Sequence, residues 1–295
     1  MAFENFSHTV WEAEIQMESE RMCVWAEDCN KRWEGKVEKQ GESVTMRGVA
    51  APTITVITKG ERKSKLPDRE ELEDSSVIMY INYMATFNYE VDDLDAAQAD
   101  GDIKSHLSKG TSAGIASAMD QRIAQVAAGN DVPKLFKAPR KLVSGTAGAG
   151  EINILTLLDL AAQHLYENDV PTTGVKLVAV LSPAALRLFT EAYGHQDTDN
   201  HELMKNGRVA MYHGIVIKMS NNVAKSADKT QEHIAVRTSE AIAFANPRVF
   251  TKPYSPEKGY GDALKGYSLY DAMVVRPKEI VDAIVEVPAF EDDVA

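Results

Sequence analysis

Long apolar runs, signal-like termini, basic blocks and cysteines are all scarce in this sequence, and each shortage removes a class of function. No apolar stretch approaches the roughly 18 to 20 residues a bilayer-crossing helix needs, so no membrane role is expected. The start, Met1-Ala2-Phe3-Glu4-Asn5-Phe6, has neither the basic opening nor the apolar core of a secretory signal. The net charge is −12 and no block is strongly basic. Gripping nucleic acid depends on Lys and Arg neutralising phosphates, so a nucleic-acid reader is disfavoured, while an acidic container for nucleic acid is not. The two cysteines, Cys23 and Cys29, fall in a stretch that reads as helix. An offset of six sets them about 240° apart there, so they cannot bridge within it. They read as reduced thiols of a cytosolic protein.

What the chain does have is length, 295 residues, enough for one large or two medium domains with a substantial core. The stretch from Val77 to Asn130 organises it. Val77, Met79, Ile81, Tyr83, Ala85, Phe87 and Tyr89 recur at every second position, the period of one strand face. After the acidic knot Glu90–Asp95 the period becomes helical, with Ile103, Leu107, Ile115, Met119, Ile123 and Ala127 on one side. The carboxylates of the knot sit where they would cap a helix, which predicts a strand handing over to a spine helix about 40 Å long.

Around this spine, residues 3–34 hold all three tryptophans among eight acids and three bases, an amphipathic arm with no local partner for its apolar side. It would dock on its own body or on a neighbouring chain. Ser43–Met46 and Thr53–Ile57 read as short strands, followed by a charged turn-rich segment from Lys59 to Ser75 whose first half is basic and second half acidic. With the strand beginning at Val77 this makes a long two-stranded excursion, which needs a surface to lie on. Further on, a helix over 152–168 turns Leu157, Leu158, Ala161 and Leu165 inward, and Val175–Leu181 reads as a central strand buried on both faces. Ser182-Pro183 starts another helix. Strands are expected at 208–212 and 215–219 about Gly214, then at 233–238 and 241–245. Residues 246–265, rich in Pro, Gly and Tyr, read as an ordered loop, and an acidic tail, Glu291-Asp292-Asp293, closes the sequence.

Reactive constellations are few. His195 and His201 lie in a polar stretch whose spacing fits neither a zinc-protease helix nor a calcium loop, so it reads as exposed loop. The Gly145–Gly150 segment lacks the lysine of a phosphate loop and the preceding strand of a dinucleotide fold. Ser182 lacks the Gly-x-Ser-x-Gly elbow, Asp120 and Glu151 have no identifiable partner, and His106, His164, His213 and His233 read as structural. No catalytic, cofactor-binding or metal residues are assigned, and no enzyme activity or cofactor is expected.

Several stretches in order resemble the major capsid protein of tailed bacteriophages: Val10-Trp11-Glu12-Ala13; Arg32-Trp33-Glu34-Gly35-Lys36-Val37; Gly41–Met46; Tyr83–Ala99 leading into the spine, with Asp120 near its end; Val178–Pro183; Gly207–Asn222; Ala241–Phe244; and Tyr270–Pro277. The resemblance implies an α+β fold with an N-terminal arm (1–42), an extended loop (43–90), a peripheral domain carrying the spine helix (91–140 and 235–295) and an axial domain with a central sheet (141–234). It implies self-assembly into hexamers and pentamers of an icosahedral shell around double-stranded DNA, in a virion assembled in the host cytoplasm. Scaffolding, portal and decoration proteins are the implied partners. Lys59, Lys63 and Lys65 fall in the loop where some relatives crosslink, but no crosslinking motif is matched. Alternatives are an encapsulin-type compartment with the same fold and, more remotely, a soluble α/β enzyme.

Overall fold

Leu177–Leu181 (β6) is buried at every position, because it lies inside a sheet covered on both faces. In the computed structural model the described residues are 23–32, 43–49, 74–92, 103–171, 174–194, 210–254 and 261–288. The sheet around β6 has seven strands: Glu151–Asn153 (β5), Arg140–Val143 (β4), Ile280–Glu286 (β12), Gln231–Thr238 (β9), β6, Ile215–Met219 (β8) and Ala210–Tyr212 (β7), in that spatial order. It is mixed: β12–β4, β4–β5 and β6–β8 are parallel, and the other pairs antiparallel. One face carries Leu177, Ala179, Leu181, Ile234, Val236 and Val285 against two helices, Ile154–Glu167 and Pro183–Gly194. The opposite face, with Val178, Val180, Ala235 and Ile280, packs against the spine helix and the arm segment. A strand with two covered faces has no polar side, hence the unbroken apolar run.

The local signals act as their chemistry requires. Asn153 accepts from the Leu155 amide at 2.8 Å and caps the first helix, whose Leu157, Leu158, Ala161 and Leu165 are buried as expected. Ser182 Oγ accepts from the Ala185 amide at 3.2 Å, with Pro183 opening the helix. The β7–β8 hairpin turns through His213 and Gly214, both at positive φ (45° and 83°), the conformation a two-residue hairpin needs.

A second sheet has three antiparallel strands in the order β10 (Ile242–Tyr254), β11 (Gly261–Val274), β3 (Tyr83–Asp92). The spine helix α1 (Ile103–Ala127) packs on it through Ile115, Met119 and Ile123. Here the expected loop over 246–265 is corrected. Its described residues, 246–254 and 261–265, are strand, and Pro247 and Pro253 are tolerated because β10 is an edge strand with a register shift between Ala245 and Arg248 that takes up Pro247. The single strand expected from Val77 to Tyr89 is corrected too. It breaks at Ile81-Asn82 into β2 (Asp74–Tyr80), which pairs with β1 (Ser43–Val49), and β3, which pairs with β11. The alternation holds on either side of the break and fails at Tyr83: Met79 and Ile81 are buried, Ala85, Phe87 and Tyr89 half-buried, but Tyr83 is exposed under the Arg122 guanidinium.

The seven-stranded sheet draws β4–β8 together with β9 and β12, so strands from both sides of residue 235 share it. The segments at 53–57, 59–73, 195–209 and 289–295 lie outside the described residues, and with them the second expected strand, most of the charged tip, His195, His201 and the acidic tail.

Candidate assembly elements and their anchors

The β1–β2 ribbon rests on its own chain. Val44, Met46, Met79 and Ile81 are buried against Ala243, Ala245 and Leu269 of the three-stranded sheet. Alternation then leaves the opposite face outward, with Ile78 44% and Tyr80 54% exposed and Met84 43% exposed just beyond the break.

A polar latch sits at that break. Asp271 on β11 is 3% exposed and accepts from Arg122 Nε at 3.0 Å and from the Asn82 amide at 3.3 Å. Arg122, on the spine helix, also lies 4.2 Å over the Tyr83 ring. One buried carboxylate thus joins the helix, the sheet and the first residue past the ribbon. Of the acidic knot, Glu90 and Asp92 lie within β3, opposite Ala263 and Gly261, while Asp93 and Asp95 lie outside the described residues. Glu90, followed by a further paired strand residue, is not a helix cap; the rest of the expected cap lies outside the described residues.

The arm segment 23–32 has a clamp of its own. Asp120, 2% exposed on the spine helix, accepts the amides of Val24 (2.9 Å) and Trp25 (3.0 Å). Burial pushes its carboxyl upward, against the pull of those amides and of Arg237. Arg237, 1% exposed, donates to the carbonyls of Trp25 at 3.0 Å and of Asp28, with its guanidinium over the Trp25 ring. Asn30 joins the edge of β10, donating to Ile242 O at 2.9 Å and accepting from the Phe244 amide at 3.1 Å. Lys218 completes the clamp with ion pairs to Glu27 and Asp28, each 2.6 Å. Burial pulls its pKa down, and the two carboxylates more than reverse that, leaving it raised.

The helix expected around the cysteines is a short 3-10 turn, Ala26–Asp28, so the helical angle between them does not apply. Both thiols are buried and donate to backbone carbonyls, Cys23 to Ala116 O at 3.8 Å and Cys29 to Trp25 O at 3.2 Å, and burial pushes Cys29 up. Trp25 finds its partner in the body of the same chain, while Trp11 and Trp33 lie outside the described residues.

The remaining chemical candidates whose side chains are described find structural partners; the side chain of His106, like those of His195 and His201, is not among them. Glu151 accepts the Gly148 amide at 3.1 Å. His164 meets the Asn168 amide nitrogen at 3.2 Å, and His213 meets Asp159 at 2.8 Å. Tyr212 donates to Asp159 at 3.1 Å, and burial with that carboxylate pushes its phenol up to about 12. His233 and Lys134 share Oδ2 of the fully buried Asp282, each at 2.7 Å, and Lys134 also reaches Ala128 O beyond the spine helix. Among the described residues no group of three or more His, Cys, Asp or Glu could hold a metal ion, and no helix is long and apolar enough to cross a membrane. Sequence reasoning missed Arg237, Asp271 and Asp282. Their signal was a lone charge inside an apolar strand run, as in Ile280-Val281-Asp282-Ala283-Ile284.

No protein-family model and no curated protein matches the chain. Solved structures do. One from Mycobacterium phage Che8 is 19% identical with a TM-score of 0.65, covering 88% of this chain and 90% of that one. The capsid of cyanophage P-SCSP1u is 15% identical at 0.62, covering 90% and 89%. A virus-like particle from Pyrococcus furiosus is 10% identical at 0.55, covering 94% and 98%. Likeness at this identity over nearly the whole length establishes a common fold.

Proposed function

From the α+β fold of tailed-phage major capsid proteins as premise, we propose that this chain is a non-enzymatic structural subunit that assembles with copies of itself into a closed shell. The observation that carries this reading is the ribbon: its base is packed on the subunit body while its outer face, Ile78 and Tyr80, stays open. A subunit that presents such a surface gains from many weak contacts made at once, which multivalency turns into a stable assembly.

In its finer form the reading has hexamers and pentamers in an icosahedral virion shell around double-stranded DNA, assembled in the host cytoplasm with scaffolding, portal and decoration proteins. The arm (1–42), loop (43–90), peripheral (91–140 and 235–295) and axial (141–234) segments are its proposed working units. The net charge of −12 suits a wall that encloses DNA without gripping its phosphates. The likeness to the Pyrococcus furiosus particle favours a second reading, a compartment shell of the encapsulin type.

Electron microscopy and size-exclusion chromatography of the expressed protein test the proposal, with closed particles of uniform diameter as the expected result. A stable small oligomer under all assembly conditions would overturn both readings. Portal and packaging genes beside the coding sequence separate the first from the second. Because the clamp holds residues 23–32 on the body, deleting residues 1–22 should leave a folded subunit that no longer forms regular particles. Normal shells from that deletion would remove the arm from the assembly mechanism.

A further inference from the structure

Residues 133–141 carry four cations and no acid in a chain of net charge −12, and neither the fold nor the shell reading uses most of them. Lys134 is committed to Asp282, but Lys137, Arg140 and Lys141 are exposed. Lys137 and Arg140 border an open groove of about 660 Å³ between the 135–140 segment and the Gly148–Gly150 turn. Leu135 and Phe136 line it half-buried, with the Arg140 guanidinium 4.5 Å over the Phe136 ring. Glu151, which also lines it, is already met by the Gly148 amide and by Lys141 at 3.6 Å. What remains is an apolar slot with two cations at its rim, Lys137 and Arg140, that meet no carboxylate among the described residues.

The chain itself contains a segment of complementary chemistry that starts next to this groove. β12 runs parallel to β4 with Val285 opposite Arg140 and Glu286 opposite Lys141, and the described chain ends two residues later at Pro288. Beyond it stand Ala289-Phe290-Glu291-Asp292-Asp293-Val294-Ala295, one aromatic followed by three acids. Seven residues reach roughly 23 Å when extended, ample to turn back across a neighbouring strand. We propose that the groove is the docking site of this acidic C-terminal segment in the same chain, with Phe290 in the apolar slot and the carboxylates on Lys137 and Arg140. The partly buried Val287, packed against the core, fixes the point from which the segment departs. This inference does not depend on the shell reading.

Carbodiimide condensation of the full-length chain tests it, because the reagent joins a carboxylate and a lysine amine in ion-pair contact as an amide with loss of water. The Lys218–Glu27 pair, 2.6 Å apart, serves as internal reference. Peptide mass spectrometry should find Glu291, Asp292 or Asp293 joined to Lys137. In a mixture of isotope-labelled and unlabelled chains the joined peptides should carry matching labels. Arg140→Glu, at an exposed position, should lower the Lys137 crosslink about tenfold, as expected for a loss of roughly 1.4 kcal/mol, and leave the reference intact. Tail carboxylates joined to other lysines or to none, or a yield unchanged in the variant, would overturn the proposal. Mixed-label products would overturn it in favour of a second copy's tail as occupant.

Discussion

The two faces of the seven-stranded sheet belong to one subunit but are held together by different physics. On the face covered by the 154–167 and 183–194 helices the core is aliphatic and continuous, with Leu142, Leu157, Leu158, Leu165, Leu181, Ile215 and Ile217 buried against one another. On the other side, toward the spine helix and the three-stranded sheet, buried polar groups are threaded through the apolar ones: Asp120 and Arg237 holding the arm, Asp282 with Lys134 and His233, Asp271 and Arg122 at the ribbon, and Ser268 donating to Asn246 at 3.0 Å beneath the β10 irregularity. Aliphatic packing is non-directional and tolerates substitution by side chains of similar volume. Buried hydrogen bonds fix angles, and breaking one strands its partner in a low-dielectric interior. The polar region is the one from which the ribbon and the arm depart, where direction matters more than adhesion.

The sharpest way to break this contrast is at the clamp. Asp120→Ala leaves two amides and Arg237 without their carboxylate and should cost about 3–5 kcal/mol in a denaturant melt. Adding Arg237→Met should recover part of that loss, and failure to recover would place the energy in packing instead. On the aliphatic side, Leu158→Ala should cost about 2–5 kcal/mol by cavity formation, while Leu158→Met should cost under ~1.5 kcal/mol. The same conservative tolerance must fail at the latch if the two regions differ in kind: Asp271→Asn should shift the ribbon, read as altered protease cleavage within residues 50–73, more than it shifts the melting midpoint.

Gly266 offers a smaller test. A Cβ there would lie 2.5 Å from Phe250 O and against the Phe87 ring that covers it, so Gly266→Ala should cost about 1–3 kcal/mol through overpacking. The smallest effect is on pH. Asp120 is an acid raised by burial, so folding favours its protonated form. Its favourable contribution is present below the unfolded value of about 3.9 and is lost as pH rises through the folded one. Asp120→Asn should flatten that part of the stability–pH curve, measured by melts between acid and neutral pH.

Periodicity made much of this legible. The alternation at Met79 and Ile81 and again at Ala85, Phe87 and Tyr89, the inward leucines of the 154–167 helix, the capping Ser182, and the turn at Gly214 are local consequences of local residues, and each stands where the sequence put it. What could not be read depends on distant partners. The break at Ile81-Asn82 leaves only Tyr83 out of step, so it is the two different pairing strands, β1 and β11, that reveal it. The strand through Pro247 and Pro253 looked like loop because a sequence does not say which strand lies at an edge. Asp120 looked partnerless because its donors are some 95 residues away on the arm.

One end of the larger sheet carries a consequence for life in a crowd. β5, its outermost strand on that side, has three residues, so the sheet offers almost no backbone ladder there for an intruding strand to extend. On the proposed shell reading, the commonest neighbour of each copy is another copy. Curtailed margins of this sort keep encounters between copies from ending as amorphous precipitate, and leave the choice of contact to surfaces shaped for it.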